Sequence, residues 1–375
     1  MSFSSPTMIP RWFVLFLKSF LQPTWQLPDR FVPSGQAQYF MRLECLSIHC
    51  LMKYVKRRLV FGVALPLIGL GKRCQQIESK HHRILWVNYA APSLGDSLMD
   101  LAARTLLAGK DVTLLTSSKN SVLYANDQYF NEVYTSSREV RKASREKRFD
   151  LVICDAYSPR VLWKKVWAAP RVEFVGLYEF LNGFEVHRTY FAFVRMMELL
   201  ALEEISQPMR PTINLPLEFK DAQPEIDVCI AIGGEWSFRK YDHWPSVVSC
   251  LIAKGYTVSI VGSDNGIRDA SKILESEPYV RSTVGVLSLS EVVVEIANAR
   301  VFIGADGGLW HVACAIPRPS VVLFADCQIF DELGNRVTRE TSDMICETLY
   351  TDKQVSDISC DQVIGAFERL RRKLG

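Results

Sequence analysis

The chain has 375 residues, enough for two domains of ~150 residues and an additional segment. Apolar residues make up 48% and charged residues 23%, a globular balance that excludes wholesale disorder and a collagen-like fibre. The net charge of +3 is too small to single out a nucleic-acid binder.

That charge is unevenly spread. Residues 1–80 hold 11 Lys/Arg against three acids (Asp29, Glu44 and Glu78), a net of +8, which leaves −5 on the remaining 295 residues. A basic head therefore sits on a mildly acidic body. The head carries two apolar runs, WFVLFL (12–17) and LVFGVALPLIGL (59–70), the second bracketed by Lys53, Lys56, Arg57 and Arg58 before it and Lys72 and Arg73 after it. Neither reaches the ~18–20 apolar residues that span a bilayer as a helix. The N-terminus lacks the early positive charge and the A-x-A site of a cleavable signal peptide. Two readings stay open: an anchor lying on an anionic leaflet, or an arm packed on the body.

From His82 the pattern becomes α/β. ILWVNYA (84–90), DVTLLTSS (111–118), RFDLVICDAY (148–157) and RVEFVGLY (171–178) read as buried strands. A helix is expected over 97–110 after the loop APSLGD, another over 138–148, and a long one over 187–205. Proline-rich sequence then marks an interdomain linker, 211–226. The alternation restarts with strands DVCIAI (227–232), YTVSIV (256–261), RVFIGA (300–305) and PSVVLFA (319–325). Helices are expected over 243–255, after Gly266, over 287–299 with Ser290 as cap, over 309–316 and over 361–374. The domains are thus a basic extension (1–80), a first Rossmann-like domain (81–210), the linker, and a second Rossmann-like domain (227–375). Ligands are expected at the C-terminal ends of the strands.

The ten cysteines include no CxxC pair and none at zinc-finger spacing from a His. Several lie inside apolar runs (LVICDA, DVCIAI, HVACAI), where a free thiol behaves as a small hydrophobe. Cys45 and Cys50 are the close pair at which metal could be considered.

Both halves place an acid beside glycine at a strand end: Gly95-Asp96 after 84–90, and Asp306-Gly307-Gly308 after 300–305. Glycines let a phosphate approach the backbone, and a helix start attracts anions. Neither G-x-G-x-x-G nor G-x-x-x-x-G-K-[ST] occurs, so the dinucleotide and P-loop fingerprints are missing. No D-x-D triplet occurs either, which removes a common metal–diphosphate clamp.

Gly233-Gly234, Lys240, Trp244, Gly262, LSLSEVVVEIANA, GADGGLWHVA and PSVVLFA follow in an order that resembles the family 9 glycosyltransferases, whose best-known members are the lipopolysaccharide heptosyltransferases. The resemblance covers about residues 83–375, strongest over 227–326. It implies a GT-B architecture, two Rossmann-like domains facing a central cleft. It further implies inverting, metal-independent transfer of a sugar from a nucleoside-diphosphate-sugar, heptose being the sugar of the best-known relatives. By the same resemblance, Asp96 matches the general base, in an acceptor-side loop with Ser93 and Gly95. Lys240 or its neighbour Arg239 matches the lysine on the donor diphosphate, in a loop opened by Gly233 and Gly234. Asp306 matches the acid on the sugar hydroxyls, Gly307, Gly308 and Leu309 offer backbone N–H groups, and His311 follows in a structural role. Asp264 is the nearest counterpart of the ribose-binding acid. Gly307 replaces the Thr of the commoner D-T-G form, and FRKYDHWP is longer than the family's K-x-W-P.

The leading expectation is an inverting glycosyltransferase without cofactor, acting on a surface-glycan or lipid-linked acceptor at the inner face of the cytoplasmic membrane. The expected partners are the nucleotide sugar, the glycan acceptor and an anionic membrane surface, with no nucleic acid. The alternatives are a sugar-nucleotide epimerase of the same fold and an inactive sugar-nucleotide-binding relative.

Overall fold

The computed structural model describes residues 52, 55–56, 58–90, 93–146, 148–179, 188–215, 223–325 and 345–375. The apolar run 12–17, Cys45, Cys50 and the middle of the linker lie outside the described residues.

The first domain is a parallel sheet of β1 (Arg83–Asn88), β2 (Asp111–Thr116), β3 (Glu132–Tyr134), β4 (Leu151–Cys154) and β5 (Glu173–Gly176), in the order β3-β2-β1-β4-β5. β4 is an unbroken apolar run and β1 is one over 84–87, as befits strands covered on both faces; Ile84 pairs with Val112 on one side and Leu151 on the other. Helices α2 (Leu94–Asp100), α3 (Ser137–Glu146), α4 (Pro159–Ala168) and α5 (Arg188–Leu199) join or flank them. Ahead of β1, a π-helical turn (Val60–Ala64) runs into the short α1 (Leu65–Ile68).

The second domain comprises β6 (Ile226–Ala231), β7 (Val258–Val261), β8 (Arg281–Ser282), β9 (Ala299–Ala305), β10 (Ser320–Ala325) and β11 (Cys346–Thr351), also parallel, in the order β11-β10-β9-β6-β7-β8. Its helices are α6 (Trp244–Ala253), α7 (Ile267–Ser276), α8 (Leu289–Ala297), α9 (Gly308–Ala315) and α10 (Cys360–Leu374). In both sheets the strand order reverses beside the first strand, so each has a switch point, β1/β4 and β6/β9, of the kind that holds ligands in doubly wound folds.

Several local expectations are corrected. Gly95 and Asp96 lie in the first turn of α2, because Ser93 already caps it, accepting from the Asp96 N–H. The single helix expected over 97–110 breaks after Asp100 into a 3-10 segment, Ala102–Leu107, whose Arg104 is drawn inward onto Asp127 (2.6 Å) and the Thr212 carbonyl (2.7 Å). The helix expected to run to 205 stops at Leu199: Ala201 takes φ 53° and the Leu202 N–H returns to the Met197 carbonyl. Ser288, not Ser290, caps α8, since Glu291 stands three residues after Ser288 and completes a capping box.

Residues 60–80 of the basic extension pack on the first domain. Leu65 and Leu70 share a core with Leu85, Val87 and Phe174, and Phe61 stacks on Tyr157 with centroids 4.8 Å apart. Cys74 N–H donates to the Phe174 carbonyl at 2.8 Å, and Phe174 N–H to that of Lys72 at 3.0 Å. Arg73 meets buried Glu179 at 2.8 Å, and Lys165 donates to the Leu70 and Val172 carbonyls. The seven described cysteines are free; burial pushes the Cys154 and Cys229 thiols up to about 12, as inert core residues.

Candidate functional site

The first-domain side of the site is built on α2. With Ser93 as cap, Asp96 occupies the third helical position, so its side chain turns back over the helix start. Ser93 Oγ donates to Asp96 Oδ2 at 2.6 Å, and Arg188 Nη1 donates to Oδ1 at 3.2 Å. The carboxylate remains 33% exposed, enough to meet a substrate. Arg188 is itself fixed from below by a bidentate pair with fully buried Asp100, which also accepts from Tyr178 OH at 2.6 Å. Burial pushes the Asp100 carboxyl up, and the Arg188 guanidinium opposes that rise.

The second-domain side is built on the ends of β6 and β9. Gly233 has φ +86°, and a Cβ there would stand 2.6 Å from Asn265 Oδ1; one on Gly234 would stand 3.1 Å from the Arg239 carbonyl. The two glycines therefore let the 3-10 turn Ser237–Arg239 fold back over the strand end. That turn brings Arg239 Nη2 to 2.9 Å from Asp306 Oδ2. Asp306 follows β9 and precedes α9, whose first turn runs from Gly308 and Leu309 and leaves its amides without intrahelical acceptors. His311 Nε2 lies 3.9 Å from Asp306 Oδ1.

The two sides meet across a cleft of about 820 Å³. Ser93, Gly95 and Asp96 line it from the first domain, and Gly233, Gly234, Arg239, Asp306, Gly307, Gly308, Leu309 and His311 from the second. Helices α2 and α9 touch at its floor: a Cβ on Gly95 would stand 2.4 Å from His311 Cδ2, and one on Gly308 3.1 Å from Leu94. Lys240 and Asp264 do not line the cleft. Lys240 caps the short turn and is exposed, its carbonyl held by Ser356 Oγ, while Ser263 and Asn265, on either side of Asp264, face the cavity.

Sequence reasoning missed Arg188, Lys119, Trp236 and Asn265. Lys119 reaches the cleft from the helical turn after β2. Arg188 opens a helix 92 residues away from the acid it holds, and no local spacing announces that pairing. Trp236 is 58% exposed beside the Gly-Gly turn, and an aromatic there had a visible signal in GGEW.

Residues 213–334 match Glycosyltransferase family 9 (heptosyltransferase). Over those residues the chain is similar to that family. Lipopolysaccharide heptosyltransferase 2 of Salmonella typhimurium is 32% identical over 129 residues, 32% of this chain and 36% of that protein. The chain therefore matches about a third of that relative's length. The glycosyl transferase family 9 structure from Veillonella parvula superposes with TM-score 0.65 at 15% identity, over 80% of this chain and 100% of that one. The E. coli ADP-heptose lps heptosyltransferase II gives TM-score 0.60 at 18% identity, over 78% and 99%. These likenesses establish the GT-B fold of facing Rossmann-like domains.

Away from the cleft, Cys74, His81 and Glu173 bring three metal-ligand atoms within 4.8 Å of one another. His81 Nδ1 accepts from the Glu78 N–H at 3.0 Å, so its Nε2 carries the proton and points it at Glu173 Oε2, 3.3 Å away. That tautomer makes a hydrogen-bonded strap between the extension and β5 and leaves no lone pair on Nε2 for an ion.

Proposed function

We propose that the chain transfers a sugar, heptose in the first instance, from a nucleoside-diphosphate-sugar to a hydroxyl of a surface-glycan or lipid-linked acceptor, with inversion and without a metal ion. The observation that carries this reading is the confrontation of Asp96 with the Arg239–Asp306 pair across one cleft at two switch points. The family match and the heptosyltransferase relatives support the donor class, and the E. coli neighbour's own description names ADP-heptose.

In this mechanism Asp96 accepts the acceptor hydroxyl's proton as its oxygen attacks the anomeric carbon. The bond from that carbon to the diphosphate oxygen breaks on the opposite face, which inverts the centre. Arg239 and the amides opening α9 stabilise the charge that collects on the departing diphosphate. An entering diphosphate competes with Asp306 for Arg239, which frees the Asp306 carboxylate to accept from the donor's hydroxyls. Ser93 and Arg188 hold the base in place, and one carboxylate suffices because the departing diphosphate, unlike the alcohol released in hydrolysis, needs no acid to protonate it.

The test begins with thermal-shift measurements on a panel of nucleoside-diphosphate-sugars that includes ADP-heptose. A matching donor raises the midpoint by mass action, whereas no rise with any donor contradicts the reading. Nucleoside-diphosphate release that requires an acceptor and persists in EDTA supports transfer; release of a modified sugar without acceptor indicates epimerisation.

A further inference from the structure

The outer flank of the first domain carries an exposed apolar face unrelated to the cleft. On α4, Val161, Leu162 and Val166 turn to the sheet, while Trp163 and Trp167, one helical turn apart, are 52% and 51% exposed with ring centroids 6.3 Å apart. The neighbouring 60–68 segment packs against α4. It buries Leu65, and Leu59, just before it, joins its Val63 and Leu67 in facing outward at four-residue spacing, Leu67 being 83% exposed. Two adjacent helices that each expose large apolar side chains on the solvent side form a patch expected to be covered.

The charge around it is one-sided. The described residues of 52–73, α3 and α4 together hold eleven Lys/Arg against two acids, Glu139 and Glu146, in a chain whose net charge is only +3. Arg73 and Lys165 turn inward, but Lys56, Lys72, Arg141, Lys142 and Arg160 are exposed around the patch. Arg141 lies 6.0 Å from the Trp167 ring, so cation and aromatic belong to one surface.

We propose that this face docks on an anionic lipid leaflet, with Trp163, Trp167 and the Leu59–Val63–Leu67 stripe entering the interface and the surrounding basic side chains meeting lipid phosphates. Exposed tryptophans suit a boundary that is apolar on one side and wet on the other. A second copy is disfavoured, since a two-fold contact would set two strongly basic faces against each other. Among the described residues no helix is long and apolar enough to cross a membrane, so the contact is peripheral. The face flanks the first-domain side of the cleft: Lys164 on α4 sits 4.5 Å over the ring of Tyr89, just before the Ser93–Asp96 turn. The inference does not depend on the transfer chemistry.

Flotation of the full chain with vesicles of equimolar phosphatidylglycerol and phosphatidylcholine tests it, against phosphatidylcholine alone. The chain is expected to float with the anionic vesicles, less so as salt rises. A Trp163→Ser/Trp167→Ser/Leu67→Ser variant should lose at least about tenfold in bound fraction. Brominated lipid should quench tryptophan fluorescence in the parent and much less in the variant. An Arg141→Glu/Lys142→Glu variant, altered only at exposed positions, should also bind more weakly, which guards against misfolding of the first. Donor binding in solution should be unchanged in both, separating this result from the fate of the transfer reading. Undiminished flotation of both variants, no flotation of the parent, or a parent dimer that the serine variant dissociates would overturn the proposal.

Discussion

Arg239 and Lys240 are adjacent in sequence, yet only Arg239 lines the cleft and meets Asp306 at 2.9 Å. The longer FRKYDHWP loop closes its 3-10 turn one residue earlier than the lysine, which leaves Lys240 on the exposed side. Arg239→Ala is expected to lower transfer by ~10²–10³, the scale of one lost electrostatic donor, and Lys240→Ala to change it only a few-fold. Steady-state kinetics of the two variants decide; the reverse ranking would return the diphosphate contact to the lysine. The acids were legible in the sequence because each follows a buried strand beside glycine. Arg188, which orients Asp96, was not, because its pairing depends on how α5 packs against α2.

Helices α2 and α9 join the two domains through glycines rather than large side chains. Gly95→Ala would drive a methyl into the His311 ring, since its Cβ would stand 2.4 Å from Cδ2. Overpacking of that kind costs ~1–3 kcal/mol, and it should appear as a lower thermal midpoint together with reduced transfer. Adding His311→Ala should recover most of the lost stability; no recovery would place the strain elsewhere. The strands with continuous apolar runs were readable, and so were most of the helices between them, but α4, between β4 and β5, was not among those expected. The edge strands β3, β8 and β11 were not, because they are two to six residues long with half-exposed patterns that carry no core signal. The break after Asp100 was also hidden, since it rests on Arg104 reaching Asp127 and a linker carbonyl far along the chain.

At the scale of the whole molecule, two Rossmann-like halves were evident from the repeated alternation, whereas the attachment of residues 60–80 to the first sheet was left open by sequence. That attachment follows from contacts with β5 and α4, which no periodicity encodes. Beneath the cleft, Asp155 accepts from Trp86 Nε1 and Asn88 Nδ2, both at 2.9 Å, and burial, aided by nearby Asp100, pushes its carboxyl up to about 8. The folded state therefore holds a proton that the unfolded chain, with a carboxyl near ~3.9, has released. This group makes stability fall as pH rises from about 4 to about 8. The Trp86 indole N–H resonance should titrate with a midpoint near 8; a flat response between about pH 6 and 9 would refute it. The central claim, that Asp96 is the base of an inverting transfer, is met most directly by measuring acceptor-dependent nucleoside-diphosphate release from ADP-heptose in EDTA by Asp96→Asn. The account predicts a loss of ~10²–10⁴ with donor affinity retained, and near-normal turnover by that variant would contradict it.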